Sequence, residues 1–474
     1  MPLDDEFRRH GHRLVDWIAG YLESPDRYPV LPRVAPGDVR RSLPQGPPEA
    51  GESYEAIFAD FERVLVPALT HWNHPGFFAY FDSSAAPPAV LAEFLAAALN
   101  QQAMLWRTSP AATELEEIAL AWLRQLMGLP EAFEGVIYDT ASVSTLHALA
   151  AARQAAAPQA RTQGLRSAPP LRVYASAHAH SSVDKSVILL GLGHDALRHV
   201  EVDDRFAMRP DALRDAIAAD RRAGAVPMAV VATVGTTSTT SVDPVREVAG
   251  ICADERIWLH VDAAYAGPAA MLPAYRPLFA GWEQADSVVV NPHKWLFVPV
   301  DLSAFYCRRM DVVREAFSVV AEYLRTPESA RNLMDTGIQL GRRFRALKLW
   351  MVLRHFGAAH IRQLIAGHVS LANEFAGWVD EHPGFERLAP VPFSVVCFRA
   401  APATVAAEAL DRFNEELLSR VNASGEVFLS HTKLEGRFAI RLAIGNLSTG
   451  RAHVTRAWSL FQQHTDELVK SFPA

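Results

Sequence analysis

The feature that most constrains this chain is an alternation, beyond about Thr113, of short apolar runs with helical stretches. Val136 to Tyr138, Leu171 to Ala175, Met228 to Val234, Ile257 to Val261 and Ser287 to Val290 read as buried strands. Asp211 to Arg222 reads as a helix, with Pro210 at its start and Gly224 beyond its end. Buried strands separated by helices predict an α/β fold, a mostly parallel sheet with helices on both faces. Ser303 to Cys307 follows Ser287 to Val290 too closely for a helical crossover, so it is expected to pair antiparallel.

The flanking segments differ. Phe7, Leu14, Ile18 and Tyr21 fall on one face of a helix, prolines from 25 to 48 then extend the chain, and a second helix follows Ser53. Residues 1–85 are too few and too open to bury a core of their own, and are expected to form an N-terminal helical dimerisation arm. Packing on the same chain is the alternative. In the next helix Leu115, Ile118, Trp122 and Leu126 form an apolar stripe, and Gly128 supplies the stop. Residues 86–370 are read as the large domain, ending in a helix from Arg342 to Phe356. Residues 371–474 are read as a small α+β domain. It is expected to hold helices at 371–381 and 403–420, strands at Val395 to Arg399, Val427 to Ser430 and Phe438 to Ile444, and a last helix after Thr449.

Composition sets the class. Half the residues are hydrophobic and 21% are charged, as in a folded, soluble chain, and the net charge of −7 gives no footprint for nucleic acid. Cys252, Cys307 and Cys397 form no CxxC pair, and the charged start, MPLDDEFRRH, has no apolar leader. A reduced cytoplasmic location, without membrane, is expected. His178, His180 and His293 come with no HxxxH or HExxH spacing, so no metal is expected among them.

Chemistry concentrates at two strand ends. Asp262 closes the run Trp258-Leu-His-Val-Asp262, and Lys294 follows another apolar run in Asn291-Pro-His-Lys-Trp295. Alone, each reads as well as a loop residue or an ion-pair partner. Together they can hold opposite ends of one flat cofactor. Pyridoxal phosphate needs a lysine amine for a Schiff base and a carboxylate against its pyridine nitrogen, which keeps that nitrogen protonated. Its phosphate needs donors, and Thr140, Ala141 and Ser142 lie where the strand around Val136 to Tyr138 turns into a helix. An ordinary helix cap is the other reading of that turn. His180, just after the strand ending at Ala175, can stack on a ring or be a loop histidine.

The chain resembles the group II pyridoxal-phosphate-dependent amino-acid decarboxylases, in the aromatic-L-amino-acid branch. The resemblance covers nearly its whole length. It rests on Thr70-His-Trp-Asn-His-Pro75 with Phe77-Phe-Ala-Tyr-Phe81, Thr113-Glu-Leu-Glu116, Val231-Ala-Thr-Val-Gly-Thr-Thr237, His260-Val-Asp-Ala-Ala-Tyr-Ala-Gly267, Asn291-Pro-His-Lys-Trp295 and Gly341-Arg-Arg-Phe-Arg-Ala-Leu-Lys348. It implies fold type I with a seven-stranded sheet, and a homodimer with active sites at the subunit interface. It also implies decarboxylation of a Phe-, Tyr-, Trp- or dopa-like substrate to the amine. By position, Lys294 is the Schiff-base lysine, Asp262 holds the pyridine nitrogen and His180 stacks on the ring. Thr140, Ser142 and Asn291 serve the phosphate, and His293 sits beside the lysine, where it or a water is a conjectural proton source. Trp72, Tyr80 and Phe81 match the aromatic substrate pocket, with core packing as the alternative.

Two departures stand out. The phosphate turn reads Asp139-Thr-Ala-Ser-Val143, where the family has Gly-Ser/Thr-Ala-Ser-Glu. An aspartate there repels phosphate unless it turns away or pairs with a cation, for which Arg107 is a candidate. The family also carries a tyrosine on a mobile loop before the Gly341-Arg-Arg motif, and it delivers a proton to Cα after CO2 leaves. The alignment read here puts Leu333 or Thr336 at that tyrosine and matches Tyr323 to an earlier one. Loss of the phenol would let O2 compete, so a decarboxylating aldehyde synthase is the main rival reading, ahead of an aminotransferase or a catalytically weak binding paralogue.

Overall fold

In the computed structural model, residues 5–166, 168–319 and 331–472 are described. They form two compact units, one of residues 83–376 with 387–397, the other of residues 1–82, 377–386 and 398–474.

The first unit is built on seven strands: β1 (Glu134–Tyr138), β2 (Leu171–Ser176), β3 (Leu197–Val200), β4 (Val226–Thr233), β5 (Trp258–Asp262), β6 (Ser287–Val290) and β7 (Ser303–Cys307). Their order is β1-β7-β6-β5-β4-β2-β3. Strand β7 is antiparallel to both neighbours, β1 and β6, while β6, β5, β4, β2 and β3 run parallel. The antiparallel turn has the expected cause: between β6 and β7 lies only the four-residue helix Pro292–Trp295, too short to cross the sheet. Strands β5, β6 and β7 are buried at every position, because helices cover both faces. All strands but β7 point the same way, so β1, β2, β5 and β6 deliver their following loops to one edge. In open α/β sheets that edge is where ligands bind.

Several sequence expectations change. Strand β3 escaped notice because Arg198 and His199 interrupt its apolar pattern. The helix expected to start at Arg342 starts at Ala346 and runs to Glu381, interrupted by Gly357 at φ 67° and ψ 160°. In the Pro110–Met127 helix the apolar stripe is not the most buried face: Ile118 and Trp122 are exposed and Leu115 and Leu126 half-buried, while Ala119, Leu120, Leu123 and Met127 are buried. The helix has two apolar faces, and a periodicity count cannot tell which one meets the sheet. Gly128 ends it in the left-handed conformation at φ 78°, as a C-terminal glycine does.

The second unit holds the Asp5–Glu23, Tyr54–Asp60, Leu410–Ala423 and Arg451–Ser471 helices. Ser53 caps the second of these by accepting from the Ala56 amide at 3.2 Å. The helix expected at 403–420 begins at Leu410, after a short 3-10 turn. A four-stranded sheet runs β10-β11-β9-β8, with β8 Phe385–Arg387, β9 Val395–Ala400, β10 Ser430–Leu434 and β11 Arg437–Ala443. The strand expected at Val427 to Ser430 thus starts at its last residue, and Phe428 instead bridges Phe77. The end of the expected arm is also not free of its own chain. Phe78 N–H donates to Phe428 O at 2.8 Å, and Ala443 N–H donates to Phe78 O at 2.9 Å.

Candidate active site

Asp262 ends β5 and is buried, with Thr233 of β4 and Val289 of β6 as its cross-strand partners. Its Oδ1 accepts the Ala264 amide at 3.0 Å. The neighbouring strand β6 leads directly into the Pro292–Trp295 turn that carries Lys294. Gly267 makes room here, since a Cβ on it would meet Val290 Cγ2 at 2.5 Å. Adjacent parallel strands lie about 4.8 Å apart, so the carboxylate and the lysine emerge side by side from one edge.

The lysine's turn is held rigidly. Trp295 is fully buried, stacks on Tyr265 at 4.7 Å and 6°, and donates Nε1–H to His368 Nδ1 at 3.0 Å. His293 Nδ1 accepts the Leu302 amide at 2.9 Å, tying the turn to the strand that follows. Burial and the Lys294 charge push the His293 imidazole down to about 3, so it is neutral near pH 7. With Nδ1 accepting, the single ring proton sits on Nε2, 3.1 Å from the Asn291 amide. That bond is satisfied when Asn291 presents its oxygen to Nε2–H, because the oxygen and nitrogen of an amide are assigned from their partners. The amide NH2 then takes the buried position that has no protein partner as oxygen. His293 is therefore suited to orient Asn291 and poorly suited to donate a proton to substrate.

His180 follows β2 and accepts the Ser182 amide on Nδ1 at 3.1 Å. Desolvation lowers its basicity, the Asp262 charge opposes this, and the Lys294 charge adds to it. His180 thus lies within the fields of both the carboxylate and the lysine. His178, by contrast, stands edge-on to Phe206 at 5.2 Å.

Thr140, Ala141 and Ser142 lie where β1 enters the Ala141–Ala156 helix, a helix pinned to β7 by Ser144 Oγ and Ser303 Oγ at 2.8 Å. Thr140 makes no side-chain cap, and the amides of Ala141 and Ser142 have no acceptor among the described residues. An uncapped helix N-terminus is an anion site. Asp139 pairs with Gln339, whose Nε2 donates to Oδ2 at 3.1 Å; Arg107 was only a candidate for that place. The Asp139 charge also helps to raise the basicity of Arg345, whose guanidinium clasps Asp301 at 2.9 and 3.1 Å. Gln339 carried no signal in the sequence, being one amide in a polar stretch.

Trp72, Tyr80 and Phe81 cluster within the second unit. Trp72 stacks on Phe77 at 4.4 Å and on Tyr80 at 5.9 Å, and the Arg441 guanidinium covers Phe81 at 4.8 Å. Trp72 and Tyr80 are exposed, which core packing alone does not explain.

Leu333 and Thr336, the two positions matched to the family's loop tyrosine, carry no phenol. Both are buried in a 3-10 turn, Leu333 in the core beside Val136 and Tyr138, while Thr336 O accepts the Tyr138 hydroxyl. Residues 331–336 are packed, with Arg331 reaching Gly135 O at 2.8 Å, while Ile338 and Leu340 are exposed. Tyr323 lies outside the described residues. The histidines weighed for metal also stay apart: among the described residues the ligand groupings are Asp184–His194–His199 and Glu6–His10–Glu55.

Pyridoxal phosphate fits what is present. The open amides of Ala141 and Ser142 and the buried, unpartnered amide position of Asn291 suit the phosphate, Asp262 suits the pyridine nitrogen and Lys294 the aldehyde. The class this defines is the fold type I enzymes that use pyridoxal 5'-phosphate.

Comparison with known proteins agrees. Residues 36–401 match the pyridoxal-dependent decarboxylase conserved domain. The chain is 39% identical to phenylacetaldehyde synthase of Arabidopsis thaliana, over 99% of this chain and 98% of that one. It is 40% identical to tyrosine decarboxylase 2 of the same plant, over 99% and 89%. The crystal structure of Oryza sativa TDC with PLP and tryptamine superposes with a TM-score of 0.96 at 36% identity, covering 99% of each chain. The chain belongs to the group II pyridoxal-phosphate-dependent decarboxylases, in the aromatic-amino-acid branch.

Proposed function

We propose that this enzyme decarboxylates an aromatic L-amino acid to the corresponding amine and CO2, with the site residues acting as follows. The observation that carries the reading is that β5 ends at Asp262 while its neighbour β6 leads into the Lys294 turn, at the sheet edge to which β2 also delivers His180. Lys294 holds the cofactor aldehyde, Asp262 takes the pyridine nitrogen and His180 covers a ring face. Ala141, Ser142 and Asn291 hold the phosphate, and His293 fixes Asn291. When bound, pyridoxal phosphate supplies a conjugated electron sink for the pair left as CO2 departs. The exposed rings of Trp72 and Tyr80, with Phe81, offer flat apolar surface for an aromatic side chain.

A second copy of the chain completes the reading. On the first unit Leu91, Phe94, Leu95 and Leu99 of the Pro87–Leu99 helix are exposed, as are Ile118 and Trp122 of the next helix. Apolar surface of this extent marks an association site. We assign this surface to the homodimer interface, in keeping with the family resemblance. No described helix is long and apolar enough to cross a membrane.

The amine is the product this reading favours, on the similarity to aromatic-amino-acid decarboxylases, although neither Leu333 nor Thr336 is a phenol. Tyr323 matches an earlier family tyrosine, but it is the phenol nearest to them in the sequence and so the candidate for delivering a proton to Cα. The test supplies L-Phe, L-Tyr, L-Trp and L-dopa and measures CO2 and amine. The protein should absorb in the visible and lose that band with borohydride. Colourless protein that takes up no pyridoxal phosphate overturns the reading, as does CO2 release undiminished in Lys294→Ala.

A further inference from the structure

Away from the cofactor edge, three side chains converge from three successive elements. Asp184 lies on the Ser182–Leu189 helix, His194 on the 3-10 turn His194–Ala196, and His199 on β3. His194 Nε2 is 3.1 Å from Asp184 Oδ1, and His199 Nε2 is 3.7 Å from that same oxygen. All three ligand atoms fall within 4.8 Å of one another.

A surface hydrogen bond accounts for the first contact and not for the second. At 3.7 Å the His199 nitrogen is too far to share a proton with Oδ1. The spacing suits a shared ion instead. Donors bound tetrahedrally to zinc at about 2.0–2.1 Å stand roughly 3.3 Å apart, between the two distances seen here. The side chains of Asp184, His194 and His199 keep 29%, 59% and 48% of their exposure, so an ion can enter and retain water.

We propose that Asp184, His194 and His199 form a two-imidazole, one-carboxylate site for a divalent transition metal of the zinc type. Imidazole selects Zn2+, Cu2+ or Ni2+, whereas Mg2+ and Ca2+ take oxygen ligands. The site joins two parts of the fold, since an ion held by Asp184 and His199 fastens the start of the Ser182–Leu189 helix to β3. That helix start is continuous with the His180 turn, where Val183 N–H donates to His180 O at 3.0 Å.

The test is calorimetric titration of full-length, tag-free holoenzyme with ZnCl2, and with MgCl2 in parallel. The Glu6–His10–Glu55 group is a separate cluster, so every titration is repeated in a His10→Ala background. One saturable Zn2+ site should survive His10→Ala, give no heat with Mg2+, and raise the melting temperature. Losing even an indirect support of a metal ligand costs about 10–100-fold in affinity, so His194→Ala and His199→Ala should each weaken binding by at least about 10-fold. Asp184→Asn, which keeps the side-chain shape, should weaken it as well. Binding that is unchanged in both histidine variants, that vanishes with His10→Ala alone, or that never saturates overturns the proposal.

Discussion

Glu116 and Arg342 form a buried ion pair at 2.7 Å, both less than a tenth exposed, although they are 226 residues apart in sequence. The same carboxylate oxygen accepts the Ile137 amide at 2.8 Å, and Arg342 donates to Ile137 O at 2.8 Å. The pair therefore clamps β1 immediately before the phosphate turn. Two motifs that identify the family in the sequence, around Glu116 and Gly341, prove to be halves of one structural joint.

Breaking that joint leaves a buried charge uncompensated, which costs about 3–5 kcal/mol. Glu116→Ala should lower the unfolding free energy by that order in urea titrations, and should loosen cofactor retention because β1 positions Thr140 to Ser142. A variant with wild-type stability and wild-type cofactor affinity would contradict the clamp.

Asp139 presents a different problem, a carboxylate beside a phosphate site. Its Oδ2 is occupied by Gln339, but Oδ1 is buried with no hydrogen-bond partner among the described residues. Asp139→Asn removes the charge and keeps an acceptor for Gln339, so cofactor should bind more tightly. Gln339→Leu strands the carboxylate and should cost about 1–3 kcal/mol of stability, with weaker cofactor binding. Fluorescence titration of apoenzyme with pyridoxal phosphate reads the binding, and an opposite order of affinities would rule out phosphate repulsion.

Acid should unfold this protein through its histidines. Burial pushes His147 and His260 down to about 4 and His293 to about 3, against an ordinary value of 6.5. Between those values the unfolded chain binds protons that the folded chain refuses, so stability falls as pH drops below about 6.5. Each fully buried histidine costs on the order of 3 kcal/mol by pH 4. Burial lowers His74 to about 4 as well. Asp243 acts the other way: burial raises it to about 6, so the folded state binds its proton more readily and gains stability on acidification, and Asp286 and Glu117 are raised in the same direction. The four strongly lowered histidines predict a net loss, measured as a melting temperature that declines from pH 6.5 to 4.5. A flat profile would mean that these rings are solvated.

The parts of the fold that were legible share a cause. Strands β6 and β7 were found to the residue, and their antiparallel pairing followed from the short connection. Long apolar runs and chain length are local quantities. What was misread depends on partners distant in sequence. Arg331 looks like a loop residue until Glu117, Glu134 and Gly135 surround it. Thr336 falls in a stretch that reads as a loop, yet its carbonyl accepts the hydroxyl of Tyr138, 198 residues earlier. Asp262, Lys294 and His180 could be picked out because their chemistry is unusual at strand ends, whereas Gln339 acts only through Asp139.

The product of the reaction rests on which group reaches Cα first after CO2 leaves. A positioned general acid contributes about 10²–10⁴-fold to proton transfer, enough to outrun O2. Neither Leu333 nor Thr336 is a phenol, so Tyr323 is the candidate for that task. Tyr323→Phe should therefore divert turnover from amine to aldehyde, ammonia and peroxide in air, and slow amine formation under nitrogen. CO2 release should change less than amine release, because the phenol acts after the C–C bond breaks. Leu333→Tyr should not raise the amine yield; it forces a larger side chain into a packed core and should cost about 1–3 kcal/mol of stability. The measurement is CO2, amine, aldehyde and peroxide from each protein with L-Tyr and L-Phe, in air and under nitrogen. An amine yield unchanged in Tyr323→Phe would remove Tyr323 from the proton path. Aldehyde as the main wild-type product, converted to amine by Leu333→Tyr or Thr336→Tyr, would restore the reading that the donor is missing.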